Sequence, residues 1–60
     1  MRDDIINILK NSDKALTIYE LQDALDLHSV EEIKELSEEL RKMEEEVIIY
    51  CPNKGRYMML

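Results

Sequence analysis

The chain is poor in the residues that interrupt regular structure and in those that carry chemistry. Its 60 residues include one glycine, one proline, one cysteine and one histidine, and no tryptophan or phenylalanine. A lone Cys51 cannot close an internal disulfide, and no Cys/His cluster has zinc-site spacing. So little Gly and Pro excludes a collagen-like or low-complexity chain. Without a second histidine or a glycine-rich phosphate loop, nothing combines nucleophile, base and oxyanion donor, so no catalytic residue, metal site or cofactor is expected. No apolar run exceeds five residues (Val47 to Cys51), too short to span a membrane. The charged residues straight after Met1 argue against a signal peptide. The expectation is a cytoplasmic, monomeric protein.

What is present is charge. Fourteen acids against eight basic residues give a net charge of −6, a field that repels polyanions as a whole. The distribution is uneven. The first 46 residues hold all fourteen acids and six of the basic residues, a net −8, whereas Val47 to Leu60 carries only Lys54 and Arg56 and is net +2. The composition suits one small helix-rich domain over residues 1–60, and the apolar ending "YMML" reads as a closing strand or a cut through a longer protein.

Hydrophobic spacing sets the elements. Ile5, Ile8 and Leu9 form a stripe on a first helix over Arg2–Lys10, begun by Asp3 and Asp4 and stopped by "NSDK", with Asn11 suited to a left-handed cap. After a short extended "AL", Thr17 and Glu20 make a T-x-x-E capping box that starts a second helix, with Leu21, Ala24 and Leu25 inward and the pattern ending at Asp26. Ser29 and Glu32 repeat the box only three residues later, which is helix-turn-helix spacing. Val30, Ile33, Leu36, Leu40, Met43 and Val47 carry the stripe of a third helix to about Glu45. "VIIYC", the turn "PNKG" and "RYMML" then read as a β-hairpin. The predicted architecture is mainly α with a small hairpin: a winged helix-turn-helix of three helices plus wing.

In that order, "LT-x-x-E-L-x-x-A-L", "S-V-E-E-x-K-E-L", "L-x-K-x-E-E-E" and "K-G-R-Y" resemble the small winged-helix domain at the N-terminus of bacterial ribonuclease R, a processive 3′-to-5′ exoribonuclease of the ribonuclease II family. The likeness covers nearly the whole chain. Relatives usually carry Gly where Asp26 stands and often where Val47 stands; Asp tolerates a left-handed turn, while Val47 implies an earlier start to the strand. The resemblance implies an accessory module that carries no catalysis, the acidic metal-binding nuclease motifs belonging to another domain.

The third helix has the shape of a groove-reading element and the wrong charge for it. The centre of its outer face is Glu31, Glu35, Glu38, Lys42 and Glu45, with Lys34 and Arg41 on one flank and Glu32, Glu39 and Glu46 on the other. Base edges and phosphates call for Arg, Lys, Asn or Gln, so this face is expected to meet solvent, or a basic protein surface through Glu31, Glu35 and Glu38. The wing is the candidate for nucleic acid: Lys54 at its tip and Arg56 on its return strand lack acidic sequence neighbours, and Tyr57 or Tyr50 offers a ring for stacking on an unpaired base. RNA held weakly through the wing, or the nuclease body itself, is the expected partner. Two rivals stand beside this reading: a regulator that reads duplex DNA, and an acidic protein-interaction module. Tyr19 and Tyr50 read as packing residues, His28 as a turn residue, Cys51 as an inert apolar side chain, and Met43, Met58 and Met59 as adaptable packing.

Overall fold

A computed structural model describes Met1 to Leu60 throughout. The elements run α1 (Arg2–Lys10), β1 (Leu16–Thr17), α2 (Ile18–Ala24), α3 (Val30–Glu45), β2 (Ile49–Tyr50) and β3 (Arg56–Met59). Three helices pack on a three-stranded antiparallel sheet of order β1-β3-β2. The short extended piece before α2 is therefore a sheet strand, with Leu16 opposite Tyr57 and Thr17 opposite Arg56. On the other side of β3, Ile49 faces Met59 and Tyr50 faces Met58.

α1 has Asp3 and Asp4 in its first turn and Lys10 in its last, each sign matched to the helix dipole, and it buries Ile5 and Leu9. Its end differs from the expected left-handed cap. Asn11 stays right-handed at φ −90°, because its backbone N–H and side-chain amide both donate to the Asn7 carbonyl, at 3.1 and 2.8 Å. α2 starts on the full capping box: the Glu20 N–H donates to Thr17 Oγ1 and the Thr17 N–H to Glu20 Oε1, both at 3.1 Å. At α3 the Glu32 N–H donates to Ser29 Oγ at 3.1 Å, and the Ser29 hydroxyl donates to the Glu32 carboxylate at 3.0 Å.

α2 and α3 end alike. Asp26 takes φ +57° and Val47 φ +60°. In each case the N–H of the left-handed residue and that of its successor turn back onto the helix: Asp26 to Asp23 O and Leu27 to Gln22 O, Val47 to Glu44 O and Ile48 to Met43 O. These are Schellman motifs without glycine. The expectation that Val47 begins the strand is overturned: Val47 closes the helix, and β2 starts at Ile49.

The core is Ile5, Leu9, Leu21, Leu27, Leu36, Leu40, Met43 and Ile49, with Leu16, Leu25, Tyr57 and Met59 among the half-buried residues packed on it. Burying one such aliphatic side chain contributes roughly 1.5–3 kcal/mol. Four expected stripe residues lie outside the core, one of them Ile33, half-buried but not among the residues packed on it. Ala24 is exposed, Val47 faces solvent beyond the helix end, and Val30 is 82% exposed because it lies about 120° round the helix from Leu36. Leu27, in the turn between α2 and α3, is a core residue that helical spacing does not reveal. No helix is long and apolar enough to cross a membrane.

Candidate functional site

The hairpin tip is built by the turn between β2 and β3. The Arg56 N–H donates to the Asn53 carbonyl at 3.0 Å, and Gly55 takes φ +78°, which a side chain there would resist on backbone grounds even though open space surrounds it. Lys54 is exposed at this tip and in no ion pair. Arg56 is engaged. Its Nη1 donates to the Ala15 carbonyl at 3.3 Å and stands 3.7 Å from Glu20 Oε1. Arg56 thus has no acid nearby in sequence but has one in space, because β1 pairs with β3 and the α2 cap folds Glu20 back over Thr17.

Glu20 is held below the ordinary carboxylate range, first by the Thr17 backbone N–H, with the Thr17 hydroxyl and the charges of Lys14 and Arg56 adding to it. This carboxylate belongs to the same surface as Arg56, and sequence reading missed it. The signal was present in the capping box, whose glutamate has a fixed direction, but its neighbour could be known only from the strand pairing.

The aromatic candidates divide. Tyr57 packs against the core, and burial first, with Cys51 and Glu44 next, pushes its hydroxyl pKa up. Its ring is mainly a piece of the core, which weakens the expected stacking role. Tyr50 is 39% exposed, and its hydroxyl donates to Met58 Sδ at 3.6 Å. Tyr19, expected to pack, is instead 77% exposed in the first turn of α2.

On α3, Glu31, Glu35, Glu38, Lys42 and Glu45 are all exposed. The Arg41–Glu45 pair forms at 2.9 Å, whereas Glu38 and Lys42 make no ion pair. An open depression of about 240 Å³ lies over this face, lined by Met1, Glu35, Glu38, Glu39 and Lys42. The acidic flank has a partner that sequence reading did not supply: Arg2 reaches Glu39 at 3.1 Å and Glu46 at 2.7 and 3.2 Å. Hydrogen bonding to Glu46, then Glu39, raises the Arg2 pKa and fixes its charge. All three arginines are ion-paired and none of the five lysines is. The planar, multi-donor guanidinium favours fixed pairing, and the compact, strongly hydrated ammonium favours water.

The remaining candidates carry no site. His28 Nε2 lies 2.6 Å from Asp26 Oδ1, with both side chains exposed. Cys51 is exposed as a residue, yet burial of its thiol and then Glu44 push its pKa up, away from the reactive thiolate. No three His, Cys, Asp or Glu side chains are grouped to hold a metal ion. Comparison with protein-family models, curated proteins and solved structures returns no match.

Proposed function

We propose that the chain is a winged-helix accessory domain, similar to that of ribonuclease R, which works without catalysis in the cytoplasm and helps place RNA or control its access to a nuclease body. The order of elements supports the winged-helix reading: a helix, a strand, two helices joined by a tight turn, and a hairpin whose return strand also pairs with the first strand. The observation that carries the functional reading is the separation of charge. The hairpin cations lie at the sheet, while the outer face of α3 presents Glu31, Glu35, Glu38 and Glu45 to solvent. A polyanion approaching this molecule is repelled by α3 and meets Lys54 and Arg56 at the hairpin. The same separation argues against duplex-DNA reading by α3 and leaves that face free for solvent or a basic protein surface.

The test is a fluorescence-anisotropy titration of labelled single-stranded RNA at low salt. Lys54→Glu combined with Arg56→Glu abolishes binding, and Glu35→Lys does not weaken it. With two phosphates neutralised, log K falls against log salt with a slope of roughly −1.4, at roughly −0.7 per phosphate on a single strand. Equal affinity for the double variant and the parent chain removes this reading.

A further inference from the structure

We propose that Glu20 is a built-in competitor at an anion site on Arg56: the carboxylate that closes the α2 capping box also occupies the guanidinium, and a nucleic-acid phosphate must displace it. The inference rests on the RNA reading above and adds to it a residue that sets affinity.

The geometry originates at one junction. Thr17 is both the last residue of β1, opposite Arg56 on β3, and the N-cap of α2. A capping box sends its glutamate back to the N-cap, so Glu20 must return to the residue that faces Arg56. A single oxygen, Glu20 Oε1, then accepts from the Thr17 N–H at 3.1 Å and the Thr17 hydroxyl at 3.2 Å while standing 3.7 Å from Arg56 Nη1. The Thr17 bonds are shorter and hold the carboxylate; the contact with Arg56 is the looser one. The guanidinium is also tied to the Ala15 carbonyl, which places it beside the residue following Lys14. Lys14 is exposed, and both it and Arg56 act electrostatically on Glu20.

The site therefore sets the Arg56 guanidinium against one carboxylate. Arg56 and Glu20 keep 46% and 39% of their side chains exposed, so an incoming phosphate oxygen has access to the guanidinium donors that neither Ala15 nor Glu20 uses. Its approach is opposed by a carboxylate already in place. Such an arrangement sets a threshold: a single phosphate gains little by replacing Glu20, whereas a polymer that also engages Lys54 two residues away gains the second contact. The ligand class is a phosphodiester chain in preference to a free phosphate.

Glu20→Gln is the informative change. The amide oxygen still accepts from Thr17, and glutamine serves a capping box as glutamate does, so α2 keeps its start while the competing charge is gone. In the RNA titration, Glu20→Gln binds about three- to tenfold more tightly at low salt. Asp23→Asn, which removes the same charge from the exposed side of α2, is the control and gives a smaller gain. Placing Arg56→Gln behind Glu20→Gln removes the gain. Unchanged affinity for Glu20→Gln, with binding by the parent chain lost in the Lys54 and Arg56 double variant, overturns the competitor role and leaves the RNA reading standing. An equal gain from Asp23→Asn, or a gain that survives Arg56→Gln, also overturns it, because bulk charge then accounts for the effect. Absence of binding by the parent chain and by Glu20→Gln alike overturns both.

Discussion

α2 and α3 end with the same backbone and very different side chains. Both close through a left-handed residue and then an apolar anchor: Asp26 with Leu27, Val47 with Ile48. At Asp26 the short polar side chain tolerates positive φ, and Leu27 is buried, 8% exposed. At Val47 a β-branched side chain occupies a conformation that costs an L-residue roughly 1–2 kcal/mol, and it is 68% exposed with nothing to gain from packing. Charge sharpens the contrast. The α3 end carries Glu44, Glu45 and Glu46 at the negative pole of its dipole, with Lys42 as the only basic residue of its last turn, so help must come from elsewhere. The difference teaches that the strand beyond the bend demands the reversal. Ile49 must enter the core and pair with β3, and that requirement overrides the preference of the residue at the bend.

The largest effect is expected at the anchor of the first turn. Leu27→Ala empties a core position at a cost of about 2–4 kcal/mol, in a domain of a size that rarely has more than about 3–5 kcal/mol to lose. Urea titration monitored by far-ultraviolet circular dichroism should find this variant largely unfolded near room temperature. A midpoint close to that of the parent chain would show that the two turns are held by their backbone bonds alone and that the anchors are incidental.

The next effect has the opposite sign and sits at the second turn. Val47→Gly relieves the left-handed strain and gives back part of the gain as unfolded-state entropy, for a net stabilisation of about 0.5–1 kcal/mol. Asp26→Gly has less strain to relieve and should leave the midpoint almost unchanged. Equal shifts at the two positions would erase the contrast between them.

The difference between the turns also marks where the sequence is legible. Helix starts were readable because Thr17–Glu20 and Ser29–Glu32 are local devices whose partners sit three residues apart. The stripe Leu36, Leu40 and Met43 was readable for the same reason, its spacing being set by the helix itself. The role of Val47 is not legible, because sequence reports its β-branched preference and not the sheet that overrules it. Leu27 escaped because a buried turn residue obeys no period. The hairpin cations were found from composition, but the state of Arg56 depends on β1 pairing with β3 across some forty residues, and that of Glu39 and Glu46 depends on Arg2 at the far end of the chain. Local geometry was legible; long-range partners were not.

Arg2 is the external help at the α3 end, and its removal should give the smallest effect, one that depends on pH in a definite direction. Hydrogen bonding to Arg2 is the first cause that lowers the Glu46 pKa from the ordinary value of 4.5. The folded chain therefore binds fewer protons there than the unfolded chain, so the associated stability is fully present above that ordinary value and is lost as pH falls through the lowered folded value. Arg2 stays charged throughout, its own pKa being raised, and contributes no titration in this window. Arg2→Gln should lower the urea midpoint at about pH 6 by less than Val47→Gly raises it, and the two chains should converge as pH falls through the lowered Glu46 value, once that carboxylate is protonated in both. The decline that Glu20 causes is shared, since its lowered pKa depends first on Thr17 and not on Arg2. Added salt should narrow the gap at about pH 6, because the pair is partly exposed. A gap that stays constant across the whole acid range would mean that Arg2 acts by packing its aliphatic stem on α3, and the electrostatic account of how that helix end is held would fail.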